Sequence, residues 1–198
     1  MENEKPRAPQ GGGAKQALLE AAVEEFSLRG LDGARIESIA KRAGCNKALA
    51  YRYFGDKPGL YRAALDHVFR QRASLLPAVP PSLAEGLRFW FQQSGADTDF
   101  LRLMQREALN DDGGELAGES FRREYYDKQV EMIEGLRARG EVGDDLDTRY
   151  LFLALLTLIA FPAMMPNITR LVCGADVESD EFRDKWGELL ESLARRMA

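Results

Sequence analysis

The 198-residue chain has few of the residues that most site chemistry needs, with one His and two Cys. A single imidazole, His67, argues against a histidine metal cluster and leaves one possible imidazole base. It reads as a satisfied structural histidine, or else as a link between two domains. Cys45 and Cys173 lie far apart with no CxxC spacing, so no zinc site, redox pair or disulfide scaffold is indicated, and a reducing, cytoplasmic setting is expected. Also lacking are a Gly-rich phosphate loop and a nucleophile elbow. The acidic clusters Asp111-Asp112 and Asp144-Asp145-Asp147 read as loop and cap residues. We therefore expect no enzyme, no metal and no cofactor.

Long apolar runs are scarce as well. Residues 1–13, rich in Pro, Gly and charge, have no apolar core for a signal peptide and read as a flexible tail. One stretch, Tyr150 to Thr169, carries no charge over twenty residues, enough to span a bilayer. It contains Pro162, Pro166 and Asn167, however, and an amphipathic segment follows it. The reading is a helix buried in protein, not a membrane span.

Positive charge is in short supply overall, with 27 Lys and Arg against 32 Asp and Glu and a net charge of −5. The deficit is uneven. Residues 1–72 hold 13 basic and 9 acidic side chains, net +4, and residues 73–198 hold 14 and 23, net −9. Such asymmetry points to an interaction surface in the first part.

No strand alternation or internal repeat is present, while helical periodicity is nearly continuous, so the fold class is all-α. Leu18, Ala22 and Phe26 define a helix over about 14–29, ended by Gly30. Ile36, Ile39, Ala40 and Ala43 define a short second helix that stops at Gly44, and Asn46 opens a third through Phe54. Pro58 starts a longer fourth. After Pro77, Pro80 and Pro81, Ser82 is a plausible cap for 83–94, followed by helices at about 98–110, 116–139, 147–171 with a kink near Pro162, and 179–197.

Two short helices joined by a Gly-containing turn, Ile36 to Phe54, have the dimensions of a helix-turn-helix. One helix would brace on the phosphate backbone, and the turn would set the second into the major groove, about 12 Å wide. A solvated helical hairpin shares this pattern. The stretch LLEAAVEEFSLRGLDGARIESIAKRAGCNKALAYRYFGDKPGLYRAAL, Leu18 to Leu65, resembles the DNA-binding domain of TetR-family transcriptional regulators. The likeness rests on Phe26 and Gly30, Ile39-Ala40 with Ala43-Gly44, and Tyr51, Tyr53, Phe54, Lys57 and Leu60 in register, over about a quarter of the chain.

The resemblance implies a three-helix head, residues 14–56, and a helical ligand-binding and dimerisation domain, 57–198, opened by helix 4. It makes Asn46 to Tyr53 the recognition helix and Lys57 a phosphate contact. Lys47 and Arg52 would add charge, and Tyr51 and Tyr53 could donate to phosphates or simply pack in the core. Arg52 could equally read a guanine edge. The family often has Thr or Ser at the start of helix 2, where this chain has Ala34, and Arg35 would substitute as a charged contact. Its frequent Gly and Thr or Ser in the recognition helix are Ala48 and Leu49 here, which could only pack on thymine methyls.

In the acidic part, 147–171 and 179–197 are the expected homodimer surfaces. Bulky residues of the preceding helices, Phe89, Trp90, Phe91, Phe100, Leu103, Met104, Tyr126 and Met132, together with Phe161, are pocket candidates for an unidentified small-molecule effector. The expected function is a homodimeric regulator, a repressor, released by an effector from a palindromic double-stranded DNA operator. The rival is a helical protein–protein adaptor that keeps this head without using it on DNA.

Overall fold

A computed structural model describes residues 12–109 and 116–197. Most of the expected tail and the pair Asp111-Asp112 lie outside the described residues. Ten α-helices and one 3-10 turn, Leu76–Ala78, make up the regular structure among those described. The chain divides into two compact units: one ends at Arg72 and also takes in Arg102–Glu119, and the other comprises Ala73–Leu101 and Ser120–Ala198.

The first unit is built by α1 (Gly12–Gly33), α2 (Ile36–Arg42), α3 (Lys47–Phe54) and α4 (Lys57–Ala73). Leu18, Ala22 and Phe26 recur once per turn of α1 and are fully buried. Burying one such Phe or Leu contributes roughly 1.5–3 kcal/mol. Gly30 interrupts the helix with φ 68° and ψ −179°, and only one further turn follows. The helix therefore breaks where the sequence puts its end.

Helix α4, expected to open the ligand-binding domain, packs almost wholly within the first compact unit. Leu60, Ala64, Leu65, Val68 and Phe69 are buried, and the Tyr61 ring meets Phe26 edge-on at 5.0 Å. An apolar stripe this wide needs a core along its length, and the other helices of the first unit supply one. The close approach at its start depends on Gly59, whose N–H donates to Asp56 Oδ1 at 2.6 Å. A Cβ there would sit 2.2 Å from the Phe54 carbonyl oxygen.

The second unit packs α5 (Leu83–Ala96), α7 (Glu119–Ala138), α8 (Thr148–Met164), α9 (Pro166–Cys173) and α10 (Asp180–Ala194), with α6 (Thr98–Leu109) divided between the units. Ser82 caps α5 and Ser179 caps α10, each accepting from the backbone three residues on. Leu87, Phe91, Leu155, Ile159, Phe182 and Leu190 form the centre of its core.

The expected kink at Pro162 lies elsewhere. The axis turns by 89° between α8 and α9, at Met165 and Pro166, so one expected helix is two. Pro166 has no N–H and is suited to a first helical position, so it starts a helix more readily than it continues one. Each proline also frees the carbonyl four residues before it. Trp186 Nε1 donates to the Leu158 oxygen at 3.1 Å, and Thr169 Oγ1 contacts the Pro162 oxygen at 3.2 Å. Side chains thus satisfy both acceptors that the prolines orphan. Among the described residues no single helix is long and apolar enough to cross a membrane.

Candidate nucleic-acid interface

The geometry begins in the turn after α2. Gly44, at φ 65°, takes the left-handed conformation that closes a helix. Its N–H donates to the Lys41 carbonyl at 3.2 Å and the Cys45 N–H to the Ala40 carbonyl at 2.9 Å. That pair of bonds is the Schellman motif, and it reverses the chain within a few residues. Cys45 is half-buried, and burial pushes its thiol above the ordinary cysteine range.

Asn46 then caps α3, its side chain accepting from the Leu49 N–H at 2.8 Å. Such a cap is worth about 1 kcal/mol. Ala50 is the residue α3 buries. A small side chain at that position lets an eight-residue helix lie close to its neighbours. Asn46, Lys47, Ala48, Tyr51 and Arg52 are exposed, and Leu49 and Tyr53 are half-buried. Helical spacing puts Lys47, Ala48, Tyr51 and Arg52 on one outward face.

That face is partly neutralised from within. Lys47 Nζ is hydrogen-bonded to Glu37 on α2 and lies 5.6 Å from the Tyr51 ring centre. The bond from Lys47 holds the Glu37 carboxyl below the ordinary carboxylate range, and the same bond raises the Lys47 ammonium. Arg52 lies over the Tyr53 ring at 5.4 Å. Arg35 is exposed immediately before α2, in extended conformation, beside the buried Ala34. Lys57 reaches back instead of outward, its Nζ 3.1 Å from the Asp32 carbonyl oxygen and 3.4 Å from that of Ala34. It therefore ties the start of α4 to the end of α1.

Two further residues organise the head without having been singled out. Glu25, with a side chain only 2% exposed, meets Arg29 at 3.2 Å and Arg42 at 3.7 Å, and accepts from the Arg35 N–H at 3.4 Å. Arg42 also reaches Glu24 at 3.3 Å. The i,i+4 spacing of Glu25 and Arg29 is visible in sequence, whereas the contacts with Arg42 and Arg35 exist only because α2 packs on α1.

In the second unit, α5, α7 and α8 enclose a cavity of about 260 Å³. Of the nine sequence-derived pocket candidates, Trp90 and Met132 lie in its wall. Phe100 is buried. Leu103 is fully buried and Met104 half-buried, and both fall in the first unit. Tyr126 packs between Tyr125 and Phe152 with ring centres 5.2 and 6.1 Å away. Phe161 is 40% exposed on α8. Bulk alone marked these residues, and bulk does not distinguish core, cavity wall and surface. Among the described residues, no group of three His, Cys, Asp or Glu side chains is placed to hold a metal ion.

A short capped helix with an outward polar, cation-bearing face, set by a tight turn on a small helical head, defines a helix-turn-helix DNA-binding protein. The sequence profile of the bacterial regulatory proteins of the tetR family matches residues 18–64. The chain is 30% identical over 184 residues to the HTH-type transcriptional repressor SCO4008 of Streptomyces coelicolor, covering 92% of this chain and 94% of that one. It is 26% identical to the HTH-type transcriptional repressor NicS of Pseudomonas putida, over 96% and 94% of the two chains. A putative transcriptional regulator from Streptomyces coelicolor, SCO4942, shares the fold with a TM-score of 0.74 at 22% identity, covering 91% of this chain and 97% of the other. The chain belongs to the TetR family. It is a DNA-binding transcriptional regulator.

Proposed function

We propose that the protein is a homodimeric repressor that holds a palindromic operator through residues 35–57 and releases it when a small-molecule effector occupies the second unit. The observation that carries this reading is the outward face of α3, where Lys47, Ala48, Tyr51 and Arg52 stand exposed behind the Asn46 cap. Arg35 and Arg52 serve as phosphate or base contacts, and Tyr51 and Tyr53 donate to phosphates. Ala48 and Leu49 pack on thymine methyls. Lys57 acts on phosphate after exchanging its backbone carbonyls for it, or else only braces α4. The names of the two relatives above, both repressors, favour repression over activation.

Dimerisation through about 147–171 and 179–197 is supported by the apolar side chains left in water there. Leu153 is 61% exposed, Leu171 81% and Val172 78%, and Phe161, Ile168 and Leu189 are also exposed. Large apolar side chains left this exposed on α8, α9 and α10 favour an interaction site there. Two-fold symmetry would place two α3 helices on half-sites about 34–36 Å apart or a multiple of it. An effector that favours another dimer geometry by about 1–3 kcal/mol then lowers operator affinity.

The test is retardation of fragments selected from genomic DNA. The expected result is a shifted complex at low salt that Arg52→Ala weakens. A protein that retards no fragment is the adaptor, not the repressor. Sedimentation checks the dimer: Leu171→Glu with Val172→Glu is expected to give a monomer, and a wild-type monomer at micromolar concentration would remove the dimer from this reading.

A further inference from the structure

The cavity in the second unit has a wall chemistry specific enough to name a ligand class. Its volume of about 260 Å³ lies just below the usual range of small-molecule sites, about 300–1,000 Å³. It therefore suits a compact molecule. Leu83, Trp90, Ile133, Leu155 and Ile159 make most of the wall apolar.

A charged ligand would find no unbalanced counter-charge there. No Asp or Glu lines the cavity, so a cation has no counter-charge. The one charged lining residue, Arg139, is already committed through all three of its nitrogens. Its Nε meets Glu141 at 3.0 Å, its Nη1 donates to the Gly135 carbonyl at 3.3 Å, and its Nη2 donates to the Pro81 carbonyl. Two of its five N–H groups remain, but Glu141 already balances its charge, so an anion gains little net attraction there.

Of the remaining polar side chains, the Ser82 hydroxyl is already engaged by Glu85 as donor and acceptor, which leaves Gln129 on α7. The residue is 6% exposed and lines the cavity, and its Nε2 is shut off from water with no hydrogen-bond partner. A buried donor left unmade is costly, and an acceptor brought by a ligand relieves that cost. We propose that this cavity takes a compact, uncharged, mainly apolar molecule with one hydrogen-bond acceptor, a ketone, ester or ether oxygen, that is engaged by Gln129 Nε2. The proposal deepens the reading of the second unit as an effector domain and rests on it.

Calorimetric titration of the full chain without DNA tests the class with three probes of nearly equal size: 4-phenylbutan-2-one, butylbenzene and 3-phenylpropionate. The ketone is expected to bind about tenfold more tightly than butylbenzene, the difference of one hydrogen bond to an otherwise unmet donor. The carboxylate is expected to bind more weakly than either. Gln129→Met should close the gap between ketone and hydrocarbon, and Leu156→Trp, which fills the cavity, should abolish both. Equal binding of ketone and hydrocarbon by the wild type overturns the role of Gln129, whether or not either variant folds. Carboxylate binding as tight as the ketone, or no binding of any probe at millimolar concentration, overturns the class. Because no DNA is present, the outcome stands apart from the repressor reading. A ketone that binds as expected but leaves a gel shift unchanged would remove its effector role and keep the site.

Discussion

Glu37 is the acidic group that restrains the reading helix. Its carboxylate holds the Lys47 ammonium at the exposed end of α3, so Lys47 can reach a phosphate only by leaving it. Glu37→Gln removes the charge and keeps the shape. If Lys47 then takes a phosphate, one more counterion is released on binding, and the slope of log K against log salt steepens by about 0.9. Between 50 and 200 mM salt that corresponds to an additional loss of about 3- to 4-fold in affinity. At low salt the variant binds more tightly than the wild type. Fluorescence anisotropy with a selected genomic fragment measures both quantities. Removing an acidic charge near DNA also reduces simple repulsion, so the decisive comparison is made in a Lys47→Gln background. There, Glu37→Gln should leave the slope unchanged, because the cation it would release is gone. A slope that steepens equally with and without Lys47, or in neither case, refutes the account.

Three other outcomes follow from the packing. Glu25→Ala is expected to destabilise the head by about 1.5–3 kcal/mol in chemical denaturation, the range for hydrogen bonds to a charged group, since Arg29 and the Arg35 N–H lose their acceptor and Arg42 keeps only Glu24. Thr169→Val strips the Pro162 carbonyl of its donor in a buried site and should cost about 1–3 kcal/mol in the same measurement; an unchanged midpoint would mean that the bend does not need it. His67 carries a buried, unpartnered Nε2, and burial lowers its pKa from the ordinary value, partly opposed by Glu20. The unfolded chain therefore binds the proton more readily, so stability is complete above about pH 6.5 and falls as pH drops below it. Melting curves at pH 7.5 and 5.5 should show that fall, and His67→Gln should reduce it.

An overall charge of −5 gave no hint of a nucleic-acid partner until it was divided along the chain. The compact units do not follow that division, since the first also takes in Arg102–Glu119, a segment with two basic and five acidic side chains. Charge along the chain was legible because it depends on composition alone. The pairing of Lys47 with Glu37 was not, because the two approach only after the turn at Gly44 folds α3 beside α2.

Local signals were read where a short-range cause operates. Gly30, Gly44, Asn46, Ser82 and Ser179 end or begin helices through bonds that span a few residues. The bend after α8 shows the limit of that reading. Both Pro162 and Pro166 could have broken the helix, and it runs on through Pro162, whose freed carbonyl accepts from Trp186 on the distant α10. Lys57 shows the same limit, since its charge suits phosphate while its contacts are with carbonyls of α1.

The sequence by itself determined the all-α class, the helix-turn-helix and its residues, and the family likeness, because helical period, caps and turn glycines act within one or two turns of chain. The tertiary structure alone decided that α4 completes the head, that Glu25 and Arg42 join α1 to α2, and that Trp90 lines a cavity while Leu103 and Phe161 do not. Those outcomes depend on which side chains meet across separate helices. Burial, pairing and cavity shape arise from contacts among residues distant in the chain, and neither residue type nor spacing specifies them.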